Sequence, residues 1–294
     1  MAVVTAAELQ RERRYRASRL VRWGVWHVVA LAILAVLLYP VVWTVGASFK
    51  PTDEIVGTVE LFSPTPTGDN YARAVEGVAG VSIWSFFRNS LVLAVLAVVG
   101  TVASSAMAAY AFARLQFRGR GVLFAMMIGT LLLPFHVMII PQYIIFQRTG
   151  LIDTFVPLLV GKFLATEAFF VFLIVQFIRT LPRDLDEAAK IDGCGHLRVF
   201  WHVILPLSRP ALITTSIFTF IWTWNDFLGP LLYLNSPQNW PLPIALNAFL
   251  DQTTTSDYGA MIAVSLLALV PVLLFFLAFQ RYLVEGVATS GVKG

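Results

Sequence analysis

The chain has 294 residues, of which 58% are hydrophobic and 13% are charged, and its formal net charge is +4. Soluble domains carry about a quarter charged residues, and a soluble fold this apolar would expose large hydrophobic patches. These values exclude an ordinary soluble protein and indicate an all-α polytopic membrane protein.

Six apolar stretches are each long enough to cross a bilayer as an α-helix, which takes about 20 residues. They are continuously apolar, whereas the strands of a membrane barrel would alternate apolar and polar residues. We therefore predict six transmembrane helices near residues 24–47, 87–111, 121–141, 154–178, 209–233 and 259–280.

The first stretch could also be read as a signal peptide cleaved after Val45-Gly46-Ala47. Its apolar run is too long for the core of a typical signal peptide, so we expect an uncleaved anchor. The predicted organisation is a basic segment 1–23, a transmembrane domain 24–283 that includes a loop at 179–208, and a tail 284–294.

The basic residues are distributed unevenly between the two sides of the predicted membrane domain. Sixteen Lys and Arg residues lie before the first span, in the second and fourth loops, or after the last span. The other side holds four, namely Lys50, Arg73, Arg88 and Arg148. Because basic loops stay in the cytoplasm, we expect both termini to be cytoplasmic. This bias explains the net charge without a nucleic-acid partner.

The fourth loop, residues 182–210, is patterned like folded structure. Pro182 suits the first position of a helix, and three acidic residues follow where they stabilise the positive end of the helix dipole: Asp184, Asp186 and Glu187. Ala188 and Ala189 favour helix and are expected to leave a flat surface patch. Gly193 and Gly195 are expected to end this helix.

A second and more apolar helix is predicted from Leu197 to Leu205-Pro206. The first loop helix could insert into a groove of a partner protein. Alternatively, the loop could lie on the membrane surface with Phe200 and Trp201 among the headgroups. Helix physics alone leaves both interpretations open.

The spacing of residues in this loop carries a resemblance. Glu187-Ala188-Ala189, three residues, Gly193, nine residues, Val203, one residue and Leu205-Pro206 resemble the signature loop of binding-protein-dependent ABC importer permeases. Asp192 extends the match. Val203 stands where the signature usually has Ile, and Cys194 where it often has Ala.

Further segments resemble the carbohydrate-uptake branch of these permeases, which includes the second maltose permease subunit. They are Arg88-Asn89-Ser90, Ala108-Ala109-Tyr110-Ala111-Phe112-Ala113-Arg114, Trp224-Asn225-Asp226-Phe227, Pro241-Leu242-Pro243, Phe279-Gln280-Arg281-Tyr282 and Gly291-Val292-Lys293-Gly294.

The resemblance implies a type I ABC importer permease fold in a bacterial or archaeal cell membrane. It implies four partners: a homologous second permease subunit, an ATPase dimer, an extracytoplasmic solute-binding protein and a carbohydrate substrate. It also implies that the ATPase contacts a set of loop residues, Glu187, Ala188, Ala189, Asp192, Gly193, Leu205 and Pro206, and a set at the C-terminus, Ser290, Gly291, Val292, Lys293 and Gly294.

No Gly-x4-Gly-Lys-Ser/Thr phosphate-binding loop occurs in the sequence. The chain is therefore expected to be non-catalytic and to bind no cofactor, with ATP and Mg on the partner ATPase. Cys194 is the only cysteine, and no close group of His, Cys and carboxylate residues has metal-ligand spacing, so no metal site is predicted.

Ionisable residues at membrane depth are costly and suggest function by default. Lys162, Glu167 and Asp226 stand out within the predicted spans. On a continuous helix, Lys162 and Glu167 would lie about 140° apart and be poor partners. We expect instead that Lys162 and Asp226 face each other or share a polar cavity. The alternative is that each reaches water separately.

Asn225 and Asp226 lie in an aromatic segment with Trp224, a combination that suits sugar hydroxyls and rings. These three residues, with Lys162, Glu167 and Asn89, are candidates to line the translocation path. An aromatic stripe alone is more often lipid-facing or packing material. His136 and Gln142 follow Pro134, whose kink could free a carbonyl towards a pore or could only serve packing. Asn89 and Ser90 could cap a helix or contact a gate.

Two other functional classes account for part of the sequence. A secondary transporter would use Glu167 or Asp226 to carry protons, but it leaves the patterned fourth loop without a purpose. A membrane enzyme would need convergent catalytic groups, and the sequence offers no nucleophile–base or metal pattern.

Overall fold

The structure of the chain is a computed structural model that describes residues 6–57, 60–250 and 256–291. Side chains are described for these residues except 6–21, 135–136 and 281–291. Within the described ranges every extended regular element is helical. In chain order the helices are α1 (Ala6–Ala47), α2 (Thr52–Gly57), α3 (Asp69–Glu76), α4 (Ile83–Arg114), α5 (Arg120–Thr130), α6 (Phe135–Arg148), α7 (Val156–Phe163), α8 (Ala168–Thr180), α9 (Asp184–Ile191), α10 (His196–Val199), α11 (Leu205–Leu207), α12 (Arg209–Trp224), α13 (Leu228–Tyr233), α14 (Leu242–Ala248) and α15 (Tyr258–Gly291).

The predicted spans are only partly matched by continuous helices. Four helical segments are long and apolar enough to cross a membrane: Arg22–Ala47, Ile83–Arg114, Val156–Thr180 and Tyr258–Gln280. A fifth would combine His196–Leu207 with Arg209–Trp224, which are bent by 74° relative to each other. A count of six continuous spans is therefore not confirmed for the described residues.

The differences arise where the sequence interrupts a helix. The predicted span 121–141 is divided between α5 and α6. The division falls just before Pro134, which has no backbone N–H to continue the hydrogen bonds of a helix. The predicted span 209–233 is divided between α12 and α13. The predicted span 154–178 contains a break between α7 and α8.

Helix α4 lies at the centre of the fold and packs against α7, α8 and α12. Its buried face is rich in small residues, which allow helix backbones to approach closely in a membrane; they include Ala94, Ala97, Gly100, Ala106, Ala109 and Ala113. We call the end of the bundle that carries residues 181–208 the loop end, and the opposite end the far end.

Two apolar clusters stabilise these two ends of α4. At the far end, Phe86, Phe220 and Leu242 are buried in one cluster. At the loop end, Tyr110, Ile174 and Phe200 are buried in another, which joins α4 and α8 to the fourth loop. The most apolar stretch of α1, by contrast, is not buried within the chain, and only the end of the helix, at Gly46 and Ala47, is buried.

The segments at the far end are fastened to the start of α15. Arg73 on α3 forms an ion pair with Asp257, with Nε and Oδ2 2.6 Å apart. Asn70 donates from Nδ2 to the carbonyls of Ser48 and Lys50. A Cβ atom at Gly259 would lie 2.1 Å from Oδ1 of Asn70, so only glycine permits this approach.

Candidate functional site: two helix breaks and the fourth loop

The fourth predicted span is interrupted between Phe163 and Ala168. Ala165 adopts a positive φ of 56°, a conformation that is costly for a residue with a Cβ atom. The carbonyl of Lys162 accepts a hydrogen bond from Ser104 Oγ on α4 at 2.7 Å. Irregular backbone at membrane depth is tolerated where protein buries it or where it lines a water-filled cavity.

This break brings together two side chains that were expected to lie apart. Lys162 Nζ and Glu167 Oε1 are 2.6 Å apart and form an ion pair, with side chains 23% and 30% exposed. The prediction that they are poor partners is wrong. It assumed a continuous helix, and the turn at Ala165 removes the angular separation.

The fifth predicted span is interrupted between Trp224 and Leu228, where Asn225 and Asp226 lie. Asp226 Oδ1 accepts a hydrogen bond from the backbone N–H of Gly229 at 3.1 Å and so caps α13. The ion pair of Lys162 is with Glu167, and the described residues show no ion pair between Lys162 and Asp226, so the expected direct pairing is not found. A shared polar cavity stays a prediction. Asn225 is exposed and donates to the Ile221 carbonyl.

The two breaks are adjacent because α7, which precedes the first break, packs against α13, which follows the second. Helices α7 and α13 are in contact, and a Cβ atom at Gly229 would lie 3.1 Å from Leu158 Cδ2. Just before α7, the backbone N–H of Asp153 donates to the Tyr233 carbonyl at 2.7 Å. Lys162, Glu167, Asn225 and Asp226 are thereby held on two neighbouring interrupted helices.

The carboxylate of Asp153 secures this far-end pairing. It accepts hydrogen bonds from the backbone N–H groups of Asn235 and Ser236, from the Ser236 hydroxyl and from Asn239 Nδ2. Partial burial alone would raise the pKa of Asp153, but the hydrogen bonds from Ser236, Asn239 and Asn235 outweigh it and hold the pKa below its usual value.

The remaining path candidates lie in packed surroundings. Asn89 is buried and donates from Nδ2 to the carbonyls of Gln238 and Trp240, at 2.8 and 3.0 Å. Ser90 Oγ accepts from the backbone N–H of Leu242 and caps α14. Trp224 is buried in the far-end core and donates from Nε1 to the Ala268 carbonyl.

The residues after the Pro134 kink are only partly described. Gln142 is half-buried on α6, while the side chain of His136 lies outside the described part of the chain. No group of three or more His, Cys, Asp or Glu side chains that could hold a metal occurs among the residues that the structure describes.

The fourth loop folds as two helices joined at glycine, as the sequence predicts. Helix α9 ends at Ile191, and Gly193 adopts a φ of 79°, which favours glycine. The Cys194 N–H donates to the Ala189 carbonyl at 2.9 Å, so the turn closes on the helix it follows. A Cβ atom at Gly193 would meet nothing within 4 Å, so the turn projects into open space.

The expected flat patch at Ala188 and Ala189 is wrong. Ala188 is exposed, but Ala189 is buried in the loop-end cluster, because α9 turns that face towards the membrane domain. The exposed surface instead contains Glu187, Ala188, Asp192 and Gly193 beside Ile191, a residue that is 86% exposed. The apolar contribution of Ile191 was not anticipated from the sequence.

A buried ion pair connects α9 to the end of α4. Arg114 Nε and Asp186 Oδ2 are 2.8 Å apart, with side chains only 6% and 11% exposed. The Arg114 Nε–H is not aligned for a hydrogen bond with the carboxylate, and Asp186 Oδ1 has no partner among the described residues. A second guanidinium nitrogen of Arg114 donates to the Leu181 carbonyl at 2.9 Å.

Sequence reasoning missed this pair, because it assigned Asp186 only to the helix dipole. The available signal was that Asp186 and Ala189 are three residues apart and therefore share one helix face. Because a buried carboxylate is costly unless it is paired, a buried helix face that includes one predicts a basic partner.

The second loop helix is also attached to α4. The Tyr110 hydroxyl donates to the His196 carbonyl at 3.1 Å, and the rings of Tyr110 and Phe200 lie 5.2 Å apart. Phe200 is buried, whereas Trp201 is exposed. Leu205 and Pro206 are half-buried, directly before the 74° bend into α12.

The predicted C-terminal contact lies at the limit of the described chain. Ser290 and Gly291 are at the end of α15, with side chains that are not described. Val292, Lys293 and Gly294 lie outside the described residues.

Comparisons with known proteins agree with this architecture. Residues 100–289 match the family described as the binding-protein-dependent transport system inner membrane component. The chain is 33% identical over 274 residues to the diacetylchitobiose uptake system permease protein DasC of Streptomyces coelicolor, covering 92% of this chain and 97% of that protein. It is 32% identical over 270 residues to the arabinooligosaccharides transport system permease protein AraQ of Halalkalibacterium halodurans, covering 90% of this chain and 95% of that one.

The fold is similar to that of a solved structure, a bacterial ABC transporter involved in the import of the acidic polysaccharide alginate. The TM-score is 0.74 at 21% sequence identity, and the match covers 96% of this chain and 100% of that chain. The similarity confirms the expected ABC importer permease fold. With a family match over residues 100–289 and relatives aligned along nearly their whole length, this chain belongs to the binding-protein-dependent transport system inner membrane component family.

Proposed function

We propose that this chain is the transmembrane permease subunit of an ABC importer that moves an oligosaccharide into the cytoplasm of a bacterium or archaeon. It pairs with a second permease subunit, receives substrate from an extracytoplasmic binding protein and is driven by a separate ATPase dimer. Both termini and the fourth loop face the cytoplasm. The oligosaccharide class is suggested by relatives named for diacetylchitobiose and arabinooligosaccharides.

The observation that carries the proposal is the exposed surface of α9. Glu187, Ala188, Ile191, Asp192 and Gly193 form a small, mixed apolar and charged surface, which we call the docking surface. An isoleucine that is 86% exposed beside an open glycine turn suits insertion into a partner's groove. The opposite face of α9 is anchored to α4, so force applied at the docking surface acts on the membrane helices.

The adjacent helix breaks are our proposed part of the translocation path. Binding sites in membrane transporters are often formed by interrupted helices, whose ends offer unpaired backbone groups. Here the breaks present Lys162, Glu167, Asn225 and Asp226, which can donate to and accept from sugar hydroxyls. The exposed ring of Trp222 lies one turn before Asp226 and could stack on a sugar.

The proposal is tested with the complex purified from its native membranes through a tag on the N-terminus of this chain. After reconstitution into vesicles, radiolabelled diacetylchitobiose or arabinotriose is supplied outside with the extracytoplasmic protein fraction. We expect accumulation that requires ATP on the loop side. Accumulation driven by a proton gradient without ATP would overturn the proposal in favour of a secondary transporter.

Docking is tested separately with Ile191→Asp. The buried charge in the interface should release the ATPase subunits from the purified complex while the chain remains in the membrane. Val56→Asp is the matched control, since Val56 is 72% exposed on α2 at the far end, and this variant should retain the ATPase.

Cys194, the only cysteine, allows a second measurement: its reaction with a maleimide should slow when the ATPase is bound. Equal retention and equal labelling in all variants would contradict docking at α9.

A further inference from the structure

The buried pair of Arg114 and Asp186 joins elements that are distant in sequence. Arg114 is the last residue of α4, and Asp186 lies in the first turn of α9. With side chains 6% and 11% exposed, neither charge can turn to water when the pair separates. Removing one member would strand the other charge in the protein interior, which makes this contact far harder to break than an exposed ion pair.

The loop is held to α4 at three further places. The Arg114 guanidinium also binds the Leu181 carbonyl, just before the loop helix begins. The Tyr110 hydroxyl binds the His196 carbonyl, beyond the glycine turn. Ala189 packs into the cluster between these points. The loop helix is therefore fixed before, within and after its length to one transmembrane helix.

Helix α4 extends without interruption for 32 residues, about 48 Å at 1.5 Å per residue. About two-thirds of the way along it, Ser104 donates to the Lys162 carbonyl at the first helix break. A Cβ atom at Gly100 would lie 2.8 Å from the Phe163 ring, so α4 and the end of α7 are in close contact. A displacement of α4 at the loop end therefore reaches the segment that carries Lys162.

We propose that Arg114 is a positioning residue that acts through Asp186 and makes α9 and α4 move as one body. In this way a movement imposed at the docking surface is delivered to the helix break at Lys162. The inference rests on the proposed function, because it assumes that the ATPase moves α9. Arg114 itself contacts neither ATP nor substrate in this mechanism.

The test compares variants of the assembled importer by the number of ATP molecules hydrolysed per sugar imported. Asp186→Asn and Arg114→Met should each raise this ratio about tenfold, since contacting residues in one network are coupled by energies of that order. Asp184→Asn is the matched control, because it removes the same charge from an exposed position in the same turn of α9, and its ratio should stay at the wild-type value.

The number of ATP molecules hydrolysed per sugar imported distinguishes a positioning role of Arg114 from a purely structural one. A purely structural role would reduce the amount of complex and lower hydrolysis and uptake in proportion, leaving the ratio unchanged; that result would overturn the inference. The double variant Arg114→Met with Asp186→Asn leaves no unpaired buried charge, so it should assemble even where a single variant does not. We expect its ratio to remain raised, and a wild-type ratio in the double variant would also overturn the inference.

Wild-type complex is the reference that separates the two proposals. If wild-type vesicles show no ATP-dependent uptake, the proposed function fails and this inference fails with it. If wild-type uptake is normal and the Asp186→Asn ratio is unchanged, only the role of Arg114 is refuted.

Discussion

Two ion pairs within the helical bundle differ in the way they are surrounded. Arg114–Asp186 connects α4 to the loop helix and is almost completely buried, whereas Lys162–Glu167 spans a break within one chain segment and is about a quarter exposed. Both have short contacts, at 2.8 and 2.6 Å. Distance alone would therefore rank them as equals.

Their surroundings predict different behaviour. Breaking a buried pair leaves an uncompensated charge, while an accessible pair can exchange its partner for water or for a ligand. We therefore expect the Arg114–Asp186 pair to stay closed when the loop end moves, and the Lys162–Glu167 pair to exchange partners more readily. Under the proposed function, the first pair would provide a stiff connection to the ATPase and the second a contact that can change along the translocation path.

The largest loss of stability is expected when the buried Arg114–Asp186 pair is broken. Arg114→Met should lower the free energy of unfolding of the chain in detergent by about 3 kcal/mol, because the Asp186 carboxylate is left buried without a counter-charge. Thermal unfolding measures this, with Asp184→Asn as a control that should change little. A loss below 1 kcal/mol would show that water reaches Asp186 and would remove the contrast between the two ion pairs.

The next effect concerns the contact of α4 with the first helix break. Gly100→Ala places a Cβ atom 2.8 Å from the Phe163 ring, so the ring must shift and we expect a loss of about 1 to 2 kcal/mol. Gly129→Ala on α5 is the matched control, since nothing lies within 4 Å of that position and alanine favours helix. Equal stability of the two variants would mean that α4 and α7 are not closely packed.

A smaller effect is expected at the loop turn. Gly193→Ala should cost about 1 kcal/mol because of the positive φ, whereas Gly193→Asn should cost less, since asparagine tolerates this conformation. If Gly193 contacts the ATPase, the larger asparagine should nevertheless reduce uptake more than alanine does. Uptake that follows the backbone cost alone would argue against a close contact at this turn.

The Lys162–Glu167 ion pair should contribute little to stability. Glu167→Gln is expected to change the free energy of unfolding by no more than about 1 kcal/mol, which is usual for an ion pair with access to water. The same unfolding assay compares it directly with Arg114→Met. A loss as large as that of Arg114→Met would show that both pairs are equally shielded.

The smallest effect is a pH dependence at Asp153. Because the folded state lowers the pKa of this carboxyl group, its contribution to stability is present above about pH 4 and is lost as the pH falls through the lowered pKa. The difference in unfolding temperature between wild type and Asp153→Asn should therefore shrink on acidification from pH 6 to pH 3. A constant difference would mean that Asp153 contributes through packing alone.

The sequence by itself determined the class of the protein and the character of its fourth loop. Apolar runs specify membrane helices because burial of the backbone in lipid allows few alternatives. The loop could be predicted because its signals are local: acidic residues in the first turn of α9 and Gly193 shortly after its last residue. Pro182 lies two residues before α9 and not at its first position, as had been expected. Such features act within a few residues and require no knowledge of the tertiary fold.

Only the tertiary structure decided how the charged groups are partnered. Lys162 was assigned away from Glu167 because a helix was assumed to continue through Ala165, and its break depends on contacts from Ser104 and Gly100 of α4. Asp186 was assigned only to the helix dipole and Ala189 to a surface patch. Their burial could not be foreseen, because it depends on Arg114 and Tyr110, which lie more than 70 residues earlier. Pairing and burial are set by which helices meet, and that information is not contained in any local stretch of sequence.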